Sequence, residues 1–126
     1  MAGLYWKVNE YLKANGKSDS QIRTLFEKDT IMLQNDSDGR GDYLHTWGVD
    51  GLAQPTQEQL DALDVTATTS EANRVVDITR KRDYGSWQSQ LDEIYHDIDG
   101  GKLGEDAKTG TWYLAVKKVK DDNPKT

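Results

Sequence analysis

Four apolar side chains near the C-terminus, Trp87, Leu91, Ile94 and Ile98, recur at steps of four, three and four. That spacing lies on one face of an α-helix and excludes an alternating strand. Trp112, Ala115, Val116 and Val119 repeat the pattern after a glycine-rich break. Two amphipathic helices joined by a polar loop read as a helical hairpin. Gly100-Gly101 stops the first helix, and Gly104 to Gly110 reads as a flexible loop. Thr111 is placed to cap the second helix, which must end before Pro124.

The N-terminal part has the same punctuation. Leu4, Val8 and Leu12 mark a helix from about Gly3 to Ala14, ended by Asn15-Gly16. Ser18 or Asp19 caps a second helix with Ile22, Leu25 and Phe26 inward. Thr30–Gln34 and Asp42–Trp47 have strand character and flank a Gly- and Asp-rich turn, a β-hairpin pattern. Alternation puts Tyr43, His45 and Trp47 on one aromatic face. Pro55-Thr56 with Gln59 reads as a capping box, with Leu60 and Leu63 inward. Val65–Thr69 reads as a polar connector and internal hinge. Ser70 then caps a helix carrying Ala72, Val75, Val76 and Thr79 on one side, either running on past Arg80–Arg82 or breaking near Gly85. The fold expected is α+β and mainly helical, with one small β-hairpin and a C-terminal helical hairpin. Residues 1–64 form the first part and 65–126 the second, possible as one compact unit.

Only 35% of the 126 residues are hydrophobic and 30% are charged, a thin core for this length. Six Tyr and four Trp stand against one Phe. Rings with a polar tip suit half-buried contacts and interfaces. The formal charge of −6 disfavours non-specific nucleic-acid binding. The acidic Asp92–Asp99 helix and the basic Lys117–Lys120 helix read first as ordinary solvated faces, since exposed ion pairs contribute little, with a mutual contact as the alternative. Cysteine is absent, which excludes disulfides and thiolate metal sites. The opening MAGLYWKVNEYLK lacks the apolar core of a signal peptide, and no run is long and apolar enough to span a membrane.

Candidate chemistry is sparse. Asp36, Asp38 and Gly41 match positions one, three and six of an EF-hand loop, but Arg40 and Trp47 occupy positions that need ligands. A turn rich in backbone-bonding Asp and Gly accounts for the same residues. Arg40-Gly41-Asp42 spells a tripeptide that some integrins read, a match that short sequences often make by chance. His96 neighbours Asp92 and Asp99 on a helix, either as a metal-binding group or as a surface histidine. Arg80–Arg82 with Tyr84 and Trp87 has the residue types of a single-strand nucleic-acid groove, but the acidic helix that follows opposes phosphate. No nucleophile elbow, Ser-x-x-Lys or P-loop is present, and no cofactor is expected. The chain reads as a non-enzyme.

Two stretches carry a resemblance. The first is Ile31-x-Leu-x-Asn-Asp-x-Asp-Gly-x-Gly-x-Tyr43, then Trp47 and Gln54-Pro-Thr-x-x-Gln-Leu60. It resembles a pattern in small tail-associated proteins of tailed bacteriophages. The second is Arg82-x-Tyr84-x-Ser86-x-x-x-Gln90-Leu-Asp92-x-x-Tyr95-His96, followed by Trp112, Ala115-Val-Lys117 and Asn123-Pro-Lys125. It is similar to the ending of many phage tail-fibre, tail-assembly and related virion proteins. Gly85 stands where that motif has proline, and 100–110 is inserted between the helices. The resemblance implies a virion structural protein, a tail- or tail-fibre-associated adaptor acting through contacts with other phage structural proteins or its own copies. Such a protein is assembled in the host cytoplasm and resides in the virion, without membrane or nucleic-acid partners. Alternatives are a non-structural tail assembly chaperone, a capsid-decorating protein, or a weak ion- or nucleic-acid-binding regulator. The interface positions implied are Tyr84, Gln90, Leu91, Asp92 and Tyr95 within the motif. Trp87, Trp112 and Val116 from the helical hairpin and Tyr43 and Trp47 from the β-hairpin join them.

Overall fold

A computed structural model describes all residues, Met1–Thr126. The chain is α+β and mainly helical, with one two-stranded antiparallel sheet. It packs as two compact units, Met1–Glu71 and Ala72–Thr126.

In the first unit, α1 (Leu4–Ala14) ends on Gly16 at φ +83°. There the Lys17 and Gly16 amides donate to the Leu12 and Lys13 carbonyls at 3.0 Å. This closes the helix end in a form that a side chain at residue 16 would strain. Ser18, not Asp19, caps α2 (Asp19–Glu27). Its hydroxyl accepts from the Gln21 amide while Gln21 reaches back to the Ser18 amide. The same reciprocal pair, Thr56 and Gln59, starts α3 (Gln57–Ala62) as its sequence requires.

The strands β1 (Ile31–Gln34) and β2 (Tyr43–Trp47) pair antiparallel with a bulge. Met32 faces Thr46 and Leu33 faces Leu44, which leaves His45 as the extra residue. One inserted residue resets the alternation of faces. The expected aromatic face of Tyr43, His45 and Trp47 is therefore split. Tyr43 and His45 stay exposed, while Trp47 and Leu44 pack on the core. That core joins Val8 and Leu12 of α1 to Ile22, Ile31, Val49 and Leu60. The Trp47 indole donates to the Leu52 carbonyl at 2.9 Å, and the Tyr11 hydroxyl to that of Ala53 at 2.8 Å. These bonds fasten the 48–55 loop over the core.

Val65–Thr69 is not a connector but lies in the first two turns of α4 (Asp64–Asp83). Threonine and valine are mediocre helix formers, and tertiary contacts override them here. Ala67 is fully buried. The Asp64 carboxylate accepts from the Ala2 amide at 3.0 Å and pairs with Lys7 at 3.3 Å. Ser70 is likewise no cap; it lies within α4 and donates to Glu10 at 2.7 Å. Every buried polar side-chain atom has a partner, as a buried polar group requires.

The second unit begins within α4, which stops where Gly85 takes φ +79°. Ser86 then caps α5 (Trp87–Asp99) by accepting from the Ser89 amide at 3.1 Å. Gly100 and Gly101 end α5. The stretch expected as a flexible loop forms a 3₁₀ turn, Gly104–Thr109, tied by Lys108 to Glu105 and by Thr109 to the Asp106 carbonyl. The last helix, α6 (Thr111–Asp122), starts without a cap from Thr111. Its first amides, of Thr111 and Trp112, donate instead to Asp97 on α5 at 3.0 and 2.9 Å. A carboxylate from a neighbouring helix satisfies the donors that a local cap would take.

Gly110 makes this approach possible by its lack of a side chain. A Cβ there would lie 2.7 Å from Asp97 Oδ2 and 2.9 Å from its Cγ. Gly110→Ala is expected to push the carboxylate off the helix start and cost about 1 kcal/mol, the value of a lost N-cap. Amide exchange at Thr111 and Trp112 measures it; unchanged protection would refute the close approach.

Candidate docking surface

The N-terminal unit buries its apolar side chains, and the C-terminal unit does not. All of the core side chains, from Ala2 to Ala67, belong to the first unit. Between Ala72 and Thr126 only Gly110 is buried. Half-buried Ile94, Trp112, Val116 and Val119 are accompanied by a set of polar contacts between the C-terminal helices. Asp97 holds the start of α6, and the Trp112 indole donates to Gln90 at 3.4 Å. Arg80 donates to the carbonyls of Asn123 at 2.8 Å and Lys120 at 3.4 Å. Asn73 and Thr126 exchange two bonds of 3.2 Å, and Lys125 pairs with Asp77.

This arrangement decides which side of α5 faces solvent. Gln90, Glu93, Ile94 and Asp97 are half-buried on the side that carries the bonds to α6. Trp87, Leu91, Tyr95 and Ile98 are left outward, with Trp87 67% and Tyr95 64% exposed. The side of α5 with the most apolar area is the uncovered one. Tyr95 lies edge-on to His96, with ring centroids 5.4 Å apart. Asp92, also exposed, pairs with His96 at 3.5 Å.

The other sequence-derived positions fall in different places. Tyr84, Gln90, Trp112 and Val116 are half-buried within the C-terminal unit. Tyr43 is at the hairpin tip, its hydroxyl donating to Asp36 at 3.0 Å, and Trp47 is taken up by the N-terminal core. The structure thus brings Trp87, Leu91 and Tyr95 together on one exposed strip, with Asp92 at its edge.

The charged residues follow the plainer of the two readings open to them. The acidic face of α5 does not meet the lysines of α6. Lys117 and Lys118 pair with Asp121 and Asp122 of their own helix. Those hydrogen bonds raise both ammonium pKa values above their usual range. In the Asp36–Asp42 turn each carboxylate has its own partner. Asp36 accepts from Gln34 and Tyr43, Asp38 pairs with Arg40 at 3.4 Å, and Asp42 accepts from Asn35 at 2.8 Å. The hydrogen bonds from Gln34 and Tyr43 hold the Asp36 carboxyl below its ordinary range. Nowhere do three His, Cys, Asp or Glu side chains converge as a metal site would need.

A second exposed strip was hidden in the sequence. On α4, Val75 and Ile78 face outward, 60% and 55% exposed, and Arg74, Lys81 and Arg82 surround them. Val75 and Ala72 were expected inward. Val76 and Thr79 of the same expected face are half-buried, beside Asn73 and Arg80, which bond the C-terminal tail, while Asp77 stays exposed and pairs with Lys125. The spacing of Arg74, Ile78, Lys81 and Arg82 carries the signal for this strip.

The tail contact has a pH limit. The hydrogen bond from Lys125 and its charge hold the Asp77 carboxyl below its ordinary range, against a smaller desolvation effect. A carboxyl whose folded pKa is depressed lends stability above its unfolded pKa, about 3.9, and loses it as pH falls through the folded value. Acidification through the lowered pKa of Asp77 is expected to free Lys125 and Thr126 from α4. Their backbone NMR shifts would move to coil values, and Asp77→Asn would do the same at neutral pH. Shifts that stay fixed through the acid range would refute the clasp.

No protein family, no curated protein and no solved structure matches the chain.

Proposed function

We propose that this chain is a structural adaptor of a tailed-bacteriophage particle, tail- or tail-fibre-associated, that works by docking and carries out no reaction. One observation supports this reading above the others. The unit from Ala72 to Thr126 buries no apolar side chain of its own and turns Trp87, Leu91, Tyr95 and Ile98 outward on α5. Fully covering a side chain such as Leu91 or Ile98 contributes about 1.5–3 kcal/mol. That is large beside the marginal stability of a small unit held by exposed polar bonds. Trp and Tyr are also the residues on which interfaces most often depend. The likeness of the Tyr84–His96 stretch to phage virion endings supplies the setting.

The test is quantitative mass spectrometry of purified virions, combined with cross-linking at position 87. An adaptor is present in stoichiometric amount, with residue 87 next to another protein. Absence from mature particles would transfer the same docking face to an assembly chaperone. A protein present in virions with residue 87 open to water would sink the docking reading.

A further inference from the structure

The C-terminal unit carries two exposed strips of opposite character, and they match. The strip on α5 is Trp87, Leu91, Tyr95 and Ile98, bordered on the side away from α6 by the exposed carboxylates Asp92 and Asp99. The strip on α4 is Val75 and Ile78, bordered by Arg74, Lys81 and Arg82. Arg74 and Lys81 have no ion-pair partner within the chain, and Arg82 pairs only with its exposed neighbour Asp83 at 3.1 Å. Around Ile78, a depression of about 490 Å³ is lined by Arg74, Asp77, Lys81 and Arg82. With its charged border, 74–82, the α4 strip runs about 12 Å, and the α5 strip, 87–98, about 16 Å, at 1.5 Å per residue. Each helix has an apolar centre and a charged edge, and the edges have opposite signs.

We infer that the occupant of the α5 strip is a second copy of this chain, which presents its α4 strip in a head-to-tail contact. The contact rests on the docking reading above and specifies the partner. Trp87 enters the depression over Ile78, where the arginine and lysine side chains can lie against its ring. Asp92 and Asp99 of one copy meet Arg74 and Lys81 of the next. Pairing α5 with α5 about a two-fold axis would set Asp92 and Asp99 of both copies near one another, a like-charge arrangement that α4 avoids. Because donor and acceptor faces differ, each copy keeps one free face after docking. The contact therefore propagates into a ring or a filament and does not close at a dimer.

Light scattering and analytical ultracentrifugation of the full chain test this with two charge-reversed variants. One carries Arg74→Glu and Lys81→Glu, the other Asp92→Lys and Asp99→Lys. All four side chains are exposed, and circular dichroism verifies the fold of each variant. The native chain is expected to associate beyond dimer, and less so as salt rises. Each variant alone is expected to associate at least tenfold more weakly. An equimolar mixture of the two is expected to regain association beyond dimer with the variants in alternation, since the native faces pair with one another and the reversed faces do likewise. A chain carrying all four reversals is expected to regain association with itself. Native chain that stays monomeric at low salt and high concentration overturns the inference. Association of the α4 variant at native strength overturns it as well, because the face would then be isologous. In the monomeric case the docking reading survives if cross-linking still places residue 87 against a different virion protein, and fails if it does not.

Discussion

Leu12→Ala is expected to lower the stability of the N-terminal unit by about 2–5 kcal/mol, the range for removing a buried leucine from a packed core. Leu12 is wholly buried and clusters with Val8, Ile22, Ile31, Val49 and Leu60, contributed by helices, a strand and a loop. A cavity there touches all of these at once. A unit of this size has only a small margin to lose, so part of the population would unfold at room temperature. Urea denaturation followed by circular dichroism gives the size of the loss. Amide exchange in α1 and β1 gives its location. A change below about 1 kcal/mol would mean that the six-residue cluster is not the keystone of this unit.

Asp97→Ala is expected to open the contact between α5 and α6. The substitution removes the acceptor for both the Thr111 and Trp112 amides. Loss of a helix cap ordinarily costs about 1 kcal/mol. Its structural effect here is larger than that figure suggests, since no buried apolar side chain holds the pair closed. Exchange at the two amides should accelerate, and Trp112, now half-buried, should show red-shifted emission. Asp97→Asn keeps one acceptor oxygen and should fall between the two. An alanine variant with native exchange rates would show that α6 is held by something else.

The sequence was legible where the physics is local. Gly16 and Gly100-Gly101 stop helices, and the Ser18–Gln21 and Thr56–Gln59 boxes start them, by contacts within a few residues. Periodicity also located the apolar strip of α5. It was silent on whether that strip is covered, because cover depends on the orientation set by Asp97 and Gln90. The same limit explains the other corrections. Val65–Thr69 is helical because Ala67 and Asp64 are held by distant residues. Trp47 joins the core because of one extra residue in β2, an insertion that no composition rule marks. Thr111 lost its role as a cap to a side chain fourteen residues earlier in the chain. As for function, only the two stretches that resemble phage virion proteins pointed anywhere. The basic edge of α4 became visible once the tail was seen to occupy the helix's other side.

A unit closed by hydrogen bonds and ion pairs leaves a calorimetric mark. The heat-capacity increase on unfolding follows the apolar area newly wetted, and polar exposure subtracts from it. Melting of the segment from Ala72 to Thr126 should therefore show a small increment for its length and a shallow dependence on denaturant. The missing heat capacity should appear on association, as a negative ΔCp when the strip bearing Trp87 leaves water.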